Sequence, residues 1–300
     1  MSREAVPPLP PLRDVIARHG LGARKGLGQH FLFDENLTGR IVREAGPLAD
    51  HTAIEIGPGP GGLTRALLRS EAQAVLAVEI DARCIAALAE LAAVAGGRLR
   101  VVEADALAVD LTALAAPPRR IVANLPYNVG TRLLLGWLPH PGAYAGITVM
   151  LQKEVAERLC AAPRTKAYGR LSIMAQWLWR VRRLFDVPPR AFVPPPAVTS
   201  AIVRLDPLPA PAGAADWPAL ETVTAAAFNQ RRKMLRSALR ALGPRSDAML
   251  AAAGIRGEAR AEELDIAAFC ALARAWREVG AGPPEPETAE SETAGPGAAP

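Results

Sequence analysis

The stretch Thr52-Ala53-Ile54-Glu55-Ile56-Gly57-Pro58-Gly59-Pro60-Gly61-Gly62-Leu63-Thr64 decides the fold of this 300-residue chain. An apolar run typical of a buried strand leads into a glycine-rich loop, and the loop leads into the start of a helix. Glycine lets the backbone approach a ligand closely, and the first turn of a helix offers free N–H groups. Gly57, Gly59 and Gly62 match the G-x-G-x-x-G pattern, which is a weak signal by itself because dinucleotide oxidoreductases share it.

Polar side chains follow the next three predicted strands, at the point where each strand ends. The strand near 74–80 carries Glu79, which lies 22 residues after Gly57, where an acid can hold ribose hydroxyls. The strand near 99–104 leads to Asp105, placed for the amine of an adenine ring, and the strand near 120–124 delivers Asn124. Because ligands bind at the carboxyl ends of strands in open α/β sheets, this pattern predicts a nucleotide-type site at that edge.

The run Ile121-Val122-Ala123-Asn124-Leu125-Pro126-Tyr127-Asn128 predicts a buried strand that ends in a stiff polar loop. Pro126 fixes its own φ and disfavours helix at Leu125. The Asn124 amide and the Tyr127 ring offer a hydrogen-bonding group and a stacking face within three residues, which suits a flat base with an exocyclic amine. For this run alone, a strand-to-helix turn that merely uses Asn and Pro is the alternative.

Two details favour S-adenosylmethionine over a nicotinamide dinucleotide as the ligand. Glu55 lies just before the glycines, where an acid can hold the amino group of a cationic methyl donor but would repel a pyrophosphate. The loop from Asn124 to Tyr127 also has no task in hydride transfer. Each acid has a structural alternative, since Glu79 and Asp105 could be helix caps or solvated strand ends. Glu55 and Asp81 are the acids most open to a purely structural role.

Several runs together resemble the ribosomal RNA adenine N6,N6-dimethyltransferases of the KsgA type, which modify small-subunit rRNA. The resemblance covers residues 20 to 280 and rests on the glycine run, on residues 124–128 and on five further runs. These are Lys25-Gly26-Leu27-Gly28-Gln29-His30-Phe31-Leu32, Leu151-Gln152-Lys153-Glu154-Val155, Lys166-Ala167-Tyr168-Gly169-Arg170-Leu171-Ser172, Ala191-Phe192-Val193-Pro194-Pro195-Pro196-Ala197-Val198 and Ala227-Phe228-Asn229-Gln230-Arg231-Arg232-Lys233. It implies an α/β fold: a Rossmann-like class I S-adenosylmethionine-dependent methyltransferase sheet with a smaller C-terminal all-helical domain.

The resemblance also implies an activity. It is the dimethylation of two adjacent adenines in the 3′-terminal hairpin of 16S rRNA, within the assembling 30S subunit and late in its biogenesis. S-adenosylmethionine would be the methyl donor and S-adenosylhomocysteine the product, with no metal involved. The helical domain would read RNA shape rather than base sequence.

The family motifs map onto individual residues of this chain. The catalytic candidates around the target base are Asn124, Leu125, Pro126, Tyr127 and Phe192, although Phe192 could instead be a core ring pinned by prolines. The cofactor candidates are His30, Leu32, Gly57, Glu79, Asp105 and Asn124, and His30 departs from the Asn that the family often has there. The RNA-binding candidates are Arg24, Lys25, Lys153, Arg164, Lys166, Arg231, Arg232, Lys233 and Arg236.

The charge of the chain favours a polyanionic partner. The net charge is +5 and the pI is near 9.5. Residues 281–300 hold four acids and no Lys or Arg. The net charge of the whole chain is +5, and that of residues 1–280 is therefore +9. Salt-sensitive binding to nucleic acid is the natural interpretation. A basic enzyme without a nucleic-acid partner remains open from charge alone.

Other features of the composition restrict the class of protein. No run of about 18 uninterrupted apolar residues predicts a membrane span, and the start of the chain lacks the apolar core of a secretory signal. The cysteines Cys84, Cys160 and Cys270 are odd in number and far apart, which predicts neither a metal site nor a disulfide framework. We therefore expect a cytoplasmic monomer that binds no metal and no membrane.

The pattern of elements predicts four segments: an extension at 1–20, a methyltransferase domain at 21–207, a helical domain at 208–280 and a disordered acidic tail at 281–300. Alternating patterns predict strands near 52–57, 74–80, 99–104, 120–124 and 146–151, with helices near 62–70, 82–95, 130–138 and 152–161. Strands near 181–187 and 199–205 would complete a seven-stranded sheet as an antiparallel edge. Helices are also predicted at 12–19, 34–45, 217–228, 231–241, 246–253 and 265–279. The helix at 231–241 would align Arg232, Arg236 and Arg240 on one face.

Four other functions compete with this interpretation. A large-subunit rRNA methyltransferase of the macrolide-resistance type shares the catalytic loop, but the run from Lys166 to Ser172 argues against it. A DNA adenine methyltransferase would need a target-reading domain that the sequence does not indicate. A nicotinamide oxidoreductase leaves residues 124–127 unexplained. A non-catalytic ribosome assembly factor would keep its cellular role when Asn124 is changed to Ala.

Overall fold

Seven strands form one mixed sheet through the middle of the protein. The computed structural model describes residues 9–22 and 29–280. The strands of the described part are β1 Phe31–Leu32, β2 Thr52–Ile56, β3 Ala74–Glu79, β4 Leu99–Glu103, β5 Arg119–Asn124, β6 Gly146–Gln152, β7 Trp179–Val187, β8 Phe192–Val193 and β9 Ser200–Pro207. The sheet order is β4-β3-β2-β5-β6-β9-β7. The first five strands are parallel and the last two are antiparallel to their neighbours.

The helices of the described part cover both faces of this sheet and continue beyond it. They are α1 Leu12–Arg18, α2 Glu35–Glu44, α3 Gly62–Arg69, α4 Ala82–Ala93, α5 Leu111–Leu114, α6 Gly130–Trp137, α7 Lys153–Cys160, α8 Arg170–Leu178, α9 Trp217–Asn229, α10 Leu235–Ala238, α11 Ser246–Ala252 and α12 Ile266–Gly280. The predicted alternation of strands and helices is confirmed, including the antiparallel edge of β7 and β9. Among these helices, none is long and apolar enough to cross a membrane.

Side chains of the parallel strands divide between two apolar cores because successive residues of a strand face opposite sides. In β5, Ile121 and Ala123 pack into one core, and Val122 packs into the other. The first core lies under α6 to α8, and the second lies under α2 to α4. Burial on both faces explains why these strands read as continuous apolar runs in the sequence.

The C-terminal helices share a core with the sheet domain. Tyr168 is fully buried, its ring lies 6.1 Å from that of Phe228, and its hydroxyl donates to the Leu264 carbonyl at 2.9 Å. The Trp177 indole N–H donates to the Gly213 carbonyl at 2.7 Å, which fastens the proline-rich link to α8. The predicted domain division at residue 208 stays a prediction, and apolar packing is continuous across it.

The prediction of a single helix over 231–241 is wrong. Only α10 is α-helical there, and Leu239–Leu242 continues it as a 3-10 turn. The backbone of the segment pairs instead with residues 257–260, since the Leu235 N–H donates to the Ala259 carbonyl at 2.8 Å and the Arg236 N–H donates to the Gly257 carbonyl at 3.0 Å. Arg232 precedes the helix, so Arg232, Arg236 and Arg240 do not share one helical face.

Residues 9–22 pack onto the sheet domain through α1. Val15 is 3% exposed and lies in a small apolar cluster with Leu21, Cys84 and Ala87. The Arg65 guanidinium of α3 donates to the Pro10 carbonyl at 2.6 Å. The predicted N-terminal helix is confirmed, and it ties the amino ends of α3 and α4 together.

Candidate active site

A cavity of about 230 Å³ opens at the carboxyl ends of β2, β3 and β5, which is the edge that the sequence predicts. It is lined by the glycine loop, by Glu79 and Asp105, and by the loop that follows β5. Its lining residues include Gln29, His30, Leu32, Glu55, Gly57, Gly59, Gly62, Glu79, Ile80, Asp105, Leu107, Asn124, Leu125, Pro126 and Tyr127. All six cofactor candidates and four of the five catalytic candidates therefore meet in one place.

The glycine loop leaves no room for side chains at two positions. Gly59 has a φ of +55°, and a Cβ there would lie 3.0 Å from the Phe31 ring. A Cβ on Gly62 would lie 2.5 Å from the Leu32 carbonyl oxygen. The first turn of α3 thus packs directly against the β1 backbone, which brings Leu32 and the helix N-terminus to the same wall of the cavity.

The Glu79 carboxylate holds the glycine loop in shape. Its Oε2 accepts from the Gly59 N–H at 3.0 Å, and its Oε1 accepts from the Ile80 and Asp81 N–H groups at 2.8 and 2.9 Å. Glu79 is 5% exposed and lines the cavity. Contact with ribose hydroxyls stays a prediction, and the structure adds a second task for the same carboxylate.

The other acids of this edge differ in their environments. Asp105 is exposed, and its Oδ1 accepts from the Leu107 N–H at 2.9 Å. Asp81 caps α4 by accepting from the Arg83 N–H, as its structural interpretation predicts. The hydrogen bond from the Arg83 guanidinium, with a further one from Gln29, lowers the pKa of Asp81 to about 2.

Glu55 is a buried carboxyl group on the floor of the cavity. It is 2% exposed, and its Oε2 has no hydrogen-bond partner within the described part of the chain. Burial raises the pKa of Glu55 to about 8, against the opposing effect of the Thr64 hydroxyl, and the charge of Glu79 raises it further. An unpartnered oxygen that lines a cavity is a natural acceptor for a donor on a bound ligand.

The Asn124 amide is oriented by the backbone of the segment before β1. Its Nδ2 donates to the His30 carbonyl at 3.0 Å, and this bond assigns the amide orientation. The His30 ring is in turn held 2.9 Å from the Pro194 carbonyl oxygen through Nδ1. The Oδ1 of Asn124 is therefore the atom of this amide left to accept from a ligand.

Pro126 and Tyr127, which follow in the same loop, are both held by hydrogen bonds. The Pro126 carbonyl accepts from the Val129 and Gly130 N–H groups at 3.2 and 2.8 Å, which starts α6. The Tyr127 hydroxyl is hydrogen-bonded to the Ser200 hydroxyl. Leu125 and Pro126 are both catalytic candidates, and as a carbonyl acceptor for a ligand Leu125 is favoured because the Pro126 carbonyl already accepts from two backbone donors.

Comparison with known proteins decides the family. The family model described as "Ribosomal RNA adenine dimethylase" matches residues 20–277. The chain belongs to this family. It is 60% identical over 267 residues to the ribosomal RNA small subunit methyltransferase A of Rhodospirillum rubrum, covering 89% of this chain and 92% of that protein. It is 56% identical over 273 residues to the protein of the same name from Ruegeria pomeroyi, covering 90% of this chain and 98% of the relative.

Solved structures support the same class I methyltransferase fold for this dimethylase family member. A dimethyladenosine transferase from Plasmodium falciparum superimposes with a TM-score of 0.72 at 24% identity, over 84% of this chain and 98% of that one. The 23S rRNA methyltransferase ErmE superimposes with a TM-score of 0.62 at 28% identity, over 82% and 99%. The predicted Rossmann-like sheet with a C-terminal helical part is confirmed.

Phe192 lies apart from the other catalytic candidates. It is 2% exposed, belongs to the apolar core and is not part of the cavity wall. Its ring lies 6.3 Å from the His30 ring in an edge-on arrangement. Contact with a target base stays a prediction, whereas the observed contacts make Phe192 an anchor beneath the site.

The RNA-binding candidates lie in several environments. Arg24 and Lys25 fall outside the described residues, whereas Arg164, Lys166, Arg232 and Lys233 are exposed. Lys153 and Arg236 are paired with Asp186 and Glu258 at 2.8 and 3.2 Å. Arg231 donates to Glu262 and to the carbonyls of Thr165 and Lys166, so its guanidinium joins two parts of the protein. RNA contact stays a prediction for all nine residues.

Sequence reasoning missed two apolar side chains of the cavity. Ile80 is 56% exposed and Leu107 is 38% exposed, and both line the wall beside Glu79 and Asp105. Each follows an acid at a strand end by one or two residues, and that spacing is the signal that could have found them. Within residues 9–22 and 29–280, no group of three His, Cys, Asp or Glu side chains could hold a metal ion.

Proposed function

We propose that this chain methylates the N6 atoms of two adjacent adenines in the 3′-terminal hairpin of 16S rRNA, twice each, with S-adenosylmethionine as donor. One observation carries the proposal: Asn124, Leu125 and Tyr127 line the same cavity as the glycine loop, and the bond from Asn124 Nδ2 to the His30 carbonyl leaves Oδ1 of that amide to accept from a ligand. Family membership and the high identity to small subunit methyltransferases A support the substrate.

The residues of the cavity fit the methyl donor. Glu55 Oε2 is a buried acceptor without a partner, which suits the ammonium group of an amino acid. Ile80 and Leu107 offer apolar surface beside Asp105 and Glu79, which suits an adenosine whose ring needs apolar contact and whose ribose needs an acceptor. When bound, the donor supplies an activated methyl group to a nucleophile. No metal enters the proposal.

The protein's task is to present the adenine amine in a reactive shape. The lone pair of N6 is delocalised into the ring, so the free amine is a poor nucleophile. Asn124 Oδ1 and the Leu125 carbonyl would accept from the two N6 hydrogens in a geometry that favours a pyramidal nitrogen. After methyl addition the N6 proton becomes acidic and leaves to water, so the mechanism needs no strong general base. Positioning then provides most of the acceleration.

The Tyr127 ring would stabilise the adenine after it leaves its helical stack. Stacking of a base on an aromatic side chain is worth roughly 1–3 kcal/mol, which is comparable with the few kcal/mol needed to unstack it. The hydrogen bond between Tyr127 and Ser200 fixes the ring so that little side-chain entropy is lost on binding.

The small subunit is favoured over the large subunit as substrate. The relative from Rhodospirillum rubrum that is named for the small subunit is 60% identical over 92% of its length, whereas ErmE is 28% identical over 99% of its length. The reaction would take place on the assembling 30S subunit, and hence in the cytoplasm, with the protein acting as a monomer. The rival function is that of a non-catalytic assembly factor. Such a factor would need the RNA-binding surface but not the amide of Asn124.

The test is transfer of tritiated methyl groups from S-adenosylmethionine into four substrates: undermethylated small subunits, mature small subunits, protein-free large-subunit rRNA and duplex DNA. We expect label in the undermethylated small subunits alone, recovered as N6,N6-dimethyladenosine and lost in Asn124→Ala. Label in large-subunit rRNA would favour the resistance-type activity. Absence of label despite measured cofactor binding would contradict catalysis and favour the assembly factor.

A further inference from the structure

The last residue of β8 and the loop that leads from it towards β9 carry exposed apolar side chains. This segment runs Val193-Pro194-Pro195-Pro196-Ala197-Val198 and is called the apolar loop below. Val193 is 56% exposed and Val198 is 44% exposed, and every residue of the loop except Pro196 is exposed. Isolated exposed apolar residues are ordinary, but five within six residues form a patch that favours burial against a partner.

Both ends of the apolar loop are bonded to residues of the cavity. Val193 pairs with Phe31 in the two-stranded ribbon of β1 and β8, and the Pro194 carbonyl lies 2.9 Å from His30 Nδ1. At the other end, Ser200 is hydrogen-bonded to the Tyr127 hydroxyl. The buried Phe192 ring fixes the start of the loop. The patch is therefore continuous with the wall where the target adenine would bind.

Cations lie on the segments that adjoin the apolar loop. The Lys153 N–H donates to the Thr199 carbonyl at 2.9 Å, which brings this residue beside the end of the loop. Lys153 and Arg183 share a single carboxylate, that of Asp186, at 2.8 Å each. Arg190 is exposed just before the loop, and Glu154 of α7 is paired with Arg158. Apolar side chains with an excess of cations over carboxylates on the adjoining segments match a nucleic acid, whose base faces are apolar and whose phosphates are negative.

We propose that Val193 and Val198, with the prolines between them, form a wedge that packs against the base next to the target adenine. The wedge would fill the gap in the stack that opens when the target adenine turns into the cavity. Apolar side chains inserted between bases serve this purpose in other nucleic-acid-binding proteins. The inference rests on the proposed function, because it assigns a contact for the RNA that the active site would methylate.

The test compares Val193→Ser/Val198→Ser with a matched control. Val94 is 41% exposed at the end of α4, away from the cavity, so Val94→Ser removes exposed apolar surface elsewhere. The probe is the 3′-terminal 16S rRNA hairpin with 2-aminopurine next to the target adenines, whose fluorescence rises when the base unstacks. We expect wild type and Val94→Ser to raise the fluorescence equally and the double variant to give less than half of that rise. Affinity for S-adenosylmethionine should stay within twofold in all three, which shows that the fold is intact.

Methyl transfer gives the second measurement. We expect kcat/KM for the unmodified hairpin to fall about tenfold in the double variant. The deficit should shrink below twofold on a hairpin with an abasic nucleotide in place of the neighbouring base, because no stack has to be broken there. Equal fluorescence and equal transfer in the double variant and Val94→Ser would overturn the wedge. So would a loss confined to intact subunits with the hairpin unaffected, which would indicate a ribosomal protein as the partner. A third outcome separates the two proposals. If the fluorescence rise is lost in the double variant but the wild type transfers no methyl groups, the wedge is supported and the proposed function is contradicted.

Discussion

Glu55 is the residue whose chemistry depends most on its surroundings. Its pKa is about 8 in the folded protein and 4.5 in an unfolded chain, because burial disfavours the carboxylate. Between these values the unfolded chain has released the proton and the folded protein still binds it, so the free energy of unfolding falls as pH rises. The expected slope from this group is about 1 kcal/mol per pH unit, ending near pH 8.

Urea unfolding of the ligand-free protein between pH 5 and pH 8.5 measures this slope. Glu55→Gln keeps the shape of the side chain and stays neutral at every pH. The free energy of unfolding of this variant should therefore fall less steeply with pH than that of the wild type, by about 1 kcal/mol per pH unit. Other titrating groups contribute equally to both proteins and cancel in the difference. Parallel curves for the two proteins would show that Glu55 is already ionised in the folded state.

Tyr127 allows the ring and the hydroxyl to be tested separately. Tyr127→Phe keeps the stacking face and loses only the bond to Ser200, so transfer should fall less than about fivefold. Tyr127→Ala removes the ring, and the loss of roughly 1–3 kcal/mol of stacking should lower kcat/KM for RNA by about 5- to 150-fold. Steady-state kinetics with the hairpin substrate compares them. Equal losses in the two variants would assign the role to the hydroxyl instead.

The sequence predicts the positions of some site residues but not their contacts. Asn124 and Glu79 could be assigned to the cavity because strand ends meet at one edge of a parallel sheet. The second task of Glu79, which holds the Gly59 N–H, depends on the path of the loop and could not be read from spacing. The burial of Phe192 and the missing partner of Glu55 Oε2 result from long-range packing, which periodicity does not report.

Two glycines in helices should respond in opposite ways to substitution by alanine. A Cβ at Gly62 would lie 2.5 Å from the Leu32 carbonyl oxygen, so Gly62→Ala must push β1 away from α3 and widen the cavity wall. Gly136 of α6 is exposed with no atom within 4 Å of a Cβ, so Gly136→Ala should stabilise the protein by about 0.5–1 kcal/mol. Calorimetric titration with S-adenosylmethionine should show at least tenfold weaker binding for Gly62→Ala and unchanged binding for Gly136→Ala. Unchanged affinity in Gly62→Ala would mean that α3 can shift without disturbing the site.

Long elements were predictable and short ones were not. The long strands of the sheet read as apolar runs and the helices between them have apolar faces, and both lie where the sequence places them. The ribbon of β1 and β8 has only two residues in each strand, too few for any pattern, yet it joins the His30 segment to the apolar loop. The segment 231–241 has helical spacing, but hydrogen bonds from Leu235 and Arg236 to residues 257–260 replace the predicted helix.

At the scale of the whole molecule, packing and charge act differently. The apolar core that runs from the sheet through Tyr168 and Phe228 to Phe269 keeps the C-terminal helices fixed relative to the cavity. If those helices bind RNA as predicted, an exposed cation on them would contact it at a set distance from Asn124. Half of the residues are hydrophobic, which is enough for a large core, but only the fold shows that one core serves both parts.

Net charge gives the last prediction, which concerns the rate of encounter with RNA. Changing Glu285, Glu287, Glu290 and Glu292 to Gln raises the net charge from +5 to +9 without altering the length of the chain. Long-range attraction accelerates association with a polyanion, and salt screens it over about 10 Å at 0.1 M. Stopped-flow association with the hairpin should therefore be several-fold faster for the variant at 50 mM salt and equal to the wild type above about 0.5 M. A matched variant that changes Ser291, Thr288 and Thr293 to Ala leaves the charge unaltered and should behave as the wild type. An acceleration that persists at high salt would mean that the acidic residues block the RNA surface by direct contact rather than by their field.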